Sequence, residues 1–190
     1  MSTIRIDEVS GKGLDRVTKI LAGVPGGVYK AVSSALKRAG DTAKTRAGQM
    51  AAAEYTISKG TFMRNVKIKN LVSSHAGGVA SMSLSFAGGV LPLLNFNTKF
   101  SKDGRITTQV KRNGGGGTLE HAFVSNMFGA TAVFERVGTS RFPVEQKYGP
   151  STAHMMQNDD VIEKMSDTIS ETYDKRIEHE ITRILNGWGG

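Results

Sequence analysis

The apolar residues of this chain change their spacing twice along the sequence, and that change constrains the fold more than any other feature. Between residues 66 and 137, several short segments alternate apolar and polar residues with a period of two, the pattern of half-buried β-strands. On either side, apolar residues recur every three or four positions, as on one face of a helix. We therefore predict an α+β fold, in which an antiparallel β-sheet of about five to six strands is flanked by a long N-terminal helix and a long amphipathic C-terminal helix.

The predicted elements can be placed along the chain. The alternation predicts strands at residues 66–69, 79–86, 91–99, 105–110, 121–125 and 131–136. The helical spacing predicts a short helix at 14–21, a long helix at 28–55 and a C-terminal helix from about 159 to 185. A length of 190 residues suits one domain. We expect a single domain over 1–190, with a helical segment at 1–60, a β-rich body at 61–150 and a helical arm at 151–190.

Glycine and charge are the unusual features of the composition. Glycine accounts for 23 of 190 residues, and ten of these glycines fall between the predicted strands, where they mark turns. The formal net charge is +8, which divides into +12 for residues 1–150 and −4 for residues 151–190. A basic body with an acidic helix can bind polyanions or another copy of the same chain, and the charge alone does not decide between these partners.

The C-terminal helix carries two regular series of side chains. The acidic series falls within a strip about 80° wide; its members are Asp160, Glu163, Asp167, Glu171, Asp174 and Glu178. The apolar series advances by four residues at each step and therefore winds around the helix; its members are Val161, Met165, Ile169, Tyr173, Ile177, Ile181 and Leu185. Two interpretations stay open: a helix that packs only against its own chain, and one that also contacts a neighbouring subunit.

Two groups of basic residues are candidate binding surfaces. Lys30, Lys37 and Lys44 lie seven residues apart and share one face of the long N-terminal helix. Another face carries small and apolar residues at helical spacing: Val32, Ala35, Leu36, Ala39, Ala43, Ala47 and Met50. The three lysines form a solvated ridge or pair with an acidic subunit surface or DNA. The second group surrounds the turn between two predicted strands and is a candidate surface for DNA in a central channel; its members are Lys99, Lys102, Arg105, Lys111 and Arg112.

The sequence contains no recognisable catalytic, metal or cofactor site. It has no cysteine, so disulfides and thiolate chemistry are excluded, and its four histidines stand far apart. The glycine run at 114–117 lacks the lysine and helix start of a phosphate-binding loop. Ser151 has no histidine at a recognised spacing and is predicted to cap a helix. We expect no enzyme activity, no cofactor, no membrane span and no signal peptide.

Several short motifs over about 120 residues resemble the phage minor tail protein Z family. The stretch 35–39 resembles the opening of that family, and 87–96 resembles a glycine, proline–leucine and phenylalanine passage. The stretches 122–136 and 141–151 resemble two later passages. The residues that carry the resemblance are Gly89, Pro92, Leu93, Phe96, Phe123, Phe134, Arg136, Arg141, Pro143, Tyr148, Gly149 and Pro150. Phe142 and Val144 replace the aliphatic pair of the family passage.

The resemblance implies a structural virion protein that completes the head-proximal end of a bacteriophage tail. Its implied partners are copies of itself in a ring, a hexamer in this family, together with the tail terminator, the tail tube and the head-completion protein. The implied location is the tail or neck of the virion, after assembly in the host cytoplasm. The charge pattern leaves a second reading open, a nonspecific DNA-binding module of the virion.

Overall fold

The computed structural model describes residues 2–6, 12–74, 80–127 and 129–187. The residues cluster into two compact units, each assembled from distant parts of the chain. Unit 1 holds the described residues of 1–47, 68–86 and 162–190, and unit 2 holds those of 48–67 and 87–161. The prediction of a single domain stays a prediction.

The described elements are mostly short, apart from two long helices. The helices are α1 (Lys12–Ile20), α2 (Gly27–Glu54), α3 (Lys59–Asn65), α4 (Thr152–Met155) and α5 (Asp159–Leu185). The strands are β1 (Ser2–Ile6), β2 (Lys67–Ser74), β3 (Ala80–Ala87), β4 (Val90–Pro92), β5 (Asn97–Phe100), β6 (Ile106–Gln109), β7 (Gly117–Leu119), β8 (Ala122–Met127), β9 (Ala130–Arg136), β10 (Val144–Gln146) and β11 (Tyr148–Ser151). Of the described residues, 45% are helical and 31% lie in strands of antiparallel sheets, which confirms the predicted α+β class.

Unit 1 combines a three-stranded sheet with parts of the two long helices. The strand order is β1-β3-β2. Strand β3 buries Met82 and Leu84 on one face and places serines at the alternate positions. Strand β2 contacts α2 through a hydrogen bond in which Asn70 Nδ2 donates to the Lys37 carbonyl at 3.0 Å. A Cβ at Gly40 would lie 2.5 Å from the Asn70 side chain, so this close approach requires glycine.

The packing face of α2 is made of small residues, as the sequence predicts. Its predicted members are all buried: Val32, Ala35, Leu36, Ala39, Ala43, Ala47 and Met50. Since alanine adds only a methyl group, neighbouring elements approach the α2 backbone closely, and the core of unit 1 takes its volume from the larger residues of β3 and α5.

Unit 2 contains three small antiparallel sheets. Their strand orders are β10-β9-β8, β5-β6-β7 and β11-β4. Leu93, Ile106, Ala122 and Val133 form a buried apolar cluster, which joins the first two sheets through their inward-facing side chains. Ile106 and Ala122 are the first residues of β6 and β8, so the cluster anchors the start of these two strands.

The predicted sheet differs from the observed one in number and length of strands. The described residues form eleven strands in four sheets, rather than one sheet of five to six strands. The predicted strand at 91–99 is divided, because a single 3₁₀ turn at Leu93–Asn95 follows Pro92. Proline has no N–H to donate to a strand partner, so the ladder is interrupted there.

Two residues of the family motif meet at the pairing of β4 with β11. Gly149 of β11 lies opposite Leu91 of β4. A Cβ at Gly149 would lie 2.3 Å from Cε2 of Phe96, and the Phe96 ring is itself buried. These two residues of the motif therefore pack an aromatic ring directly against backbone that has no side chain.

We expect Gly149→Ala to lower the free energy of unfolding by about 1–3 kcal/mol, because the buried ring of Phe96 must move to admit the methyl group. Gly89→Ala is the matched control, since a Cβ there meets nothing within 4 Å. Urea denaturation followed by circular dichroism measures both. An unchanged midpoint for Gly149→Ala would contradict the close packing.

Candidate interaction surfaces

The predicted acidic series lies on the exposed side of α5, and we call it the acidic strip. All six members are exposed: Asp160, Glu163, Asp167, Glu171, Asp174 and Glu178. Glu178 is paired with Arg16 of α1, with 2.7 Å between Oε1 and Nη1. Among the described residues, the other five carboxylates have no ion-pair partner. The strip thus presents concentrated negative charge to solvent.

The winding apolar series of α5 is covered by the chain itself over most of its length. Val161, Met165, Ile169, Tyr173, Ile177 and Ile181 are buried. Leu185, the last member, is 55% exposed. The side chains in the middle of the series therefore stabilise this chain, and a partner could reach the series only at its C-terminal end.

The lysine ridge of α2, formed by Lys30, Lys37 and Lys44, is exposed as predicted from its spacing. Lys30 already takes part in a further interaction. Asp41 lies within one turn of Lys37 and of Lys44, where its carboxylate offsets part of their charge. The role of the lysine ridge as a subunit surface stays a prediction.

A buried carboxylate links α2 to α5 within unit 1. The Glu180 side chain is fully buried. Its Oε2 accepts a hydrogen bond from Arg183 Nε at 2.9 Å. Its Oε1 lies 3.3 Å from Arg38 Nε but accepts no hydrogen bond from a described residue, so Arg38 stabilises it mainly through charge. The burial of Glu180 cannot be recognised from the sequence, because a carboxylate next to an acidic strip resembles one more solvated charge.

We expect Arg38→Met to destabilise the protein by about 2 kcal/mol, since it leaves a buried carboxylate with one partner fewer. The same substitution in a Glu180→Met background should cost less than about 0.5 kcal/mol, because no buried charge remains. A double-mutant cycle by urea denaturation measures this coupling. Equal costs in the two backgrounds would show that Arg38 does not act on Glu180.

The hairpin formed by β5 and β6 carries three exposed basic residues, Lys99, Lys102 and Arg105, and we call it the basic hairpin. Lys99 lies opposite Thr107, and Thr107 lies opposite Thr118 of β7, so these side chains share the outer face of the sheet. Lys102 and Arg105 occupy the turn, which Gly104 allows with a φ of +79°. Lysine and threonine side chains commonly contact phosphate oxygens.

The other two predicted basic residues lie next to the C-terminal end of α2. The Arg112 backbone N–H donates to the Glu54 carbonyl at 2.8 Å, and its Nε donates to the Ala52 carbonyl at 2.7 Å. Lys111 pairs with Tyr55 in an isolated bridge. Arg112 therefore satisfies carbonyls that the end of a helix leaves unpaired. Contact of either residue with DNA stays a prediction.

The loop between β9 and β10 presents arginine and apolar side chains together. We call Arg136, Val137, Arg141 and Phe142 the tip surface. The Arg136 guanidinium lies 4.8 Å from the ring centre of Phe123, and that of Arg141 lies 5.7 Å from the ring centre of Phe142. Phe123 itself stacks on Phe134. Both arginines belong to the family motif, but the sequence does not reveal this surface, because Arg136 stacks on Phe123 of a different strand.

The described side chains of the types used in catalysis and metal binding have the following environments. Within the described ranges, no three His, Cys, Asp or Glu side chains are placed to hold a metal ion. Burial raises the pKa of Tyr173 to about 12, and burial also raises that of Tyr55, so neither phenol is ready to act as a base at neutral pH. Ser151 Oγ accepts from the His154 N–H at 3.0 Å, which confirms the predicted helix cap. No helix in the described part is both long and apolar enough for a membrane span.

Comparison with known proteins gives one family. The model of prophage minor tail protein Z (GPZ) matches residues 12–187. Searches of curated proteins and of solved structures return no match. The family match covers nearly the whole chain and includes every motif residue that suggested it, so the resemblance is confirmed. This chain belongs to the prophage minor tail protein Z family.

Proposed function

We propose that this protein is a non-enzymatic structural component that completes the head-proximal end of a phage tail. In this proposal, copies of the chain form a ring, a hexamer, through which DNA passes from head to tail. Family membership supports the coarser part, a minor tail protein that acts with other tail proteins in the virion. The finer parts, which are position, ring and DNA passage, rest on the surfaces described above.

The observation that carries the proposal is the acidic strip. Five exposed carboxylates without an ion-pair partner among the described residues lie on one helix of a chain whose net charge is +8. Such a strip favours contact with a basic surface of another copy. A contact between two different surfaces is heterologous, and it closes into a ring when the rotation between copies permits.

The basic hairpin suits the inner wall of such a ring. Lys99, Lys102 and Arg105 would face the DNA phosphates without reading sequence, because no side chain pattern on this hairpin matches a base-reading motif. The tail terminator, tail tube and head-completion protein are the proposed neighbours along the axis. No cofactor takes part, and assembly takes place in the host cytoplasm.

Electron microscopy of particles made with and without this protein tests the position. Without it, we expect filled heads and tails that fail to join. With it, we expect added density at the head-proximal end, and its symmetry gives the copy number. Density only at the distal tip, or joined particles in its absence, would contradict the proposal.

A nonspecific DNA-binding module is the second candidate, and the exposed basic hairpin is the observation that favours it. Duplex binding by the full protein across a salt series is the measurement. If the hairpin binds phosphates, Lys99→Gln, Lys102→Gln and Arg105→Gln together should reduce the slope of log affinity against log salt by about 2–3.

The matched control for DNA binding removes the same charge from α2 through Lys30→Gln, Lys37→Gln and Lys44→Gln. Equal losses in the two triple variants would assign binding to net charge rather than to the hairpin. Negligible binding of the unmodified protein at low salt would remove this candidate function.

A further inference from the structure

The tip surface borders an open groove whose lining carries a net positive charge and therefore suits a negatively charged partner. The groove has a volume of about 580 Å3, and its lining includes Arg136, Arg141, Thr139, His121 and Glu120. Two arginines against one carboxylate leave the lining positive. Because each guanidinium lies over an aromatic ring, it loses less freedom on binding than a flexible lysine would.

The apolar members of the tip surface favour a protein partner over DNA. Val137 is 58% exposed and Phe142 is 61% exposed, although both belong to a short loop next to a well-packed sheet. Phosphate binding requires no such apolar exposure. Arginine together with exposed aromatic residues is the composition enriched in protein interfaces.

We propose that the tip surface of one copy binds the acidic strip of the next copy. Asp167, Glu171 and Asp174 are spaced by four and three residues, so they project side by side from α5. A carboxylate pairs with an arginine through two parallel hydrogen bonds, which a lysine cannot form. The strip and the tip surface therefore match in charge and in the type of contact.

The lysine ridge is the competing partner for the acidic strip, and it is the poorer match. Lys30 already takes part in another interaction, and Asp41 lies between Lys37 and Lys44. Either pairing would join copies head to tail. Pairing through the tip surface joins unit 2 of one copy to unit 1 of the next. Each copy then binds one neighbour through its tip surface and the other neighbour through its acidic strip. This inference rests on the proposed assembly of copies into a ring.

Chemical cross-linking tests the pairing with little background, because the chain has no cysteine. Thr139→Cys places a thiol at the tip surface, Ser170→Cys places one beside the strip, and Lys37→Cys places one on the ridge; all three positions are exposed. Differently tagged full chains are mixed in pairs and treated with a short bis-maleimide, both as free protein at high concentration and in assembled tails.

We expect the Thr139→Cys and Ser170→Cys pair to give roughly tenfold more cross-linked product than either variant alone, because apposed thiols have a far higher effective concentration than chains that collide. Adding Arg141→Glu to the tip chain should remove this product, whereas Lys69→Glu, an equal charge change at an exposed position of β2, should not. Preferential cross-linking of the Lys37→Cys and Ser170→Cys pair would overturn the proposal. The absence of tip–strip product in both free protein and tails would also overturn it.

These outcomes separate the pairing from the proposed function. Tails that require the protein for joining but give no tip–strip product would reject the pairing and leave tail completion in place. Tip–strip product together with tails that join heads normally without the protein would reject tail completion and keep the pairing as a mode of self-association.

Discussion

Replacing Ile177 with aspartate is expected to cost about 4 kcal/mol or more of unfolding free energy. Ile177 is 5% exposed and lies in the middle of the apolar series of α5. The substitution removes a buried aliphatic side chain, which alone costs about 2–5 kcal/mol when the space stays empty. It also buries a carboxylate, and a buried charge costs several kcal/mol more unless it gains a basic partner or binds a proton.

The matched control introduces the same residue on the exposed side of the same helix. Ser170→Asp changes helix propensity and charge in a similar way, but its side chain stays in water. Because the whole stability of a domain is about 5–15 kcal/mol, Ile177→Asp should yield little folded protein. Ser170→Asp should lower stability by less than about 0.5 kcal/mol, the usual effect of a like charge one turn away on a helix surface. Urea denaturation and soluble yield measure both variants. Equal midpoints would mean that the apolar series is not part of the core.

The long helices could be predicted because their side-chain patterns are regular over many turns. Helix α5 begins at Asp159 and ends at Leu185, as the acidic first turn and Gly187 predict. The same regularity places the acidic strip on the exposed side, because burial of Met165, Ile169 and Tyr173 determines where the other faces point.

Short elements and buried charges could not be predicted in the same way. Helix α3 and strands β7, β10 and β11 cover seven residues or fewer, too few for a period to be recognised. The three strands form because they pair with residues distant in sequence; in β11, for example, Gly149 pairs with Leu91 of β4. The burial of Glu180 likewise depends on Arg38, which is far from it in sequence.

The candidate surfaces, too, could be predicted only where they depend on a local sequence pattern. Exposure of the acidic strip and of the basic hairpin follows from local pattern, and the structure agrees with it. The engagement of Arg112 with the Ala52 carbonyl and the stacking of Arg136 on Phe123 join residues that no local pattern connects. A cluster of charges in a sequence therefore indicates where a surface lies, but not which of its members are already engaged by their own fold.

Reversing the charge of the acidic strip is expected to weaken association between copies much more than it weakens folding. The variant is Asp167→Lys, Glu171→Lys and Asp174→Lys. All three side chains are exposed, so folding stability should change by less than about 1 kcal/mol, with small losses from new repulsion near Lys175. At a contact with a basic surface, each of the three substitutions replaces an attraction by a repulsion. We expect a loss of about 3 kcal/mol or more in the free energy of association, which lowers the association constant roughly a hundredfold or more.

A control with the same change in net charge separates the strip from charge in general. Asp15→Lys, Asp103→Lys and Glu145→Lys together reverse three exposed carboxylates outside the strip. Neutralising the strip with Asp167→Asn, Glu171→Gln and Asp174→Asn should have an intermediate effect, since it removes attraction without adding repulsion. Tail completion and sedimentation of the free protein measure all three variants. If the strip is an interface, only its own variants lose assembly while urea midpoints stay close to the parent; equal assembly by the reversed strip and the control would show that α5 meets no basic partner there.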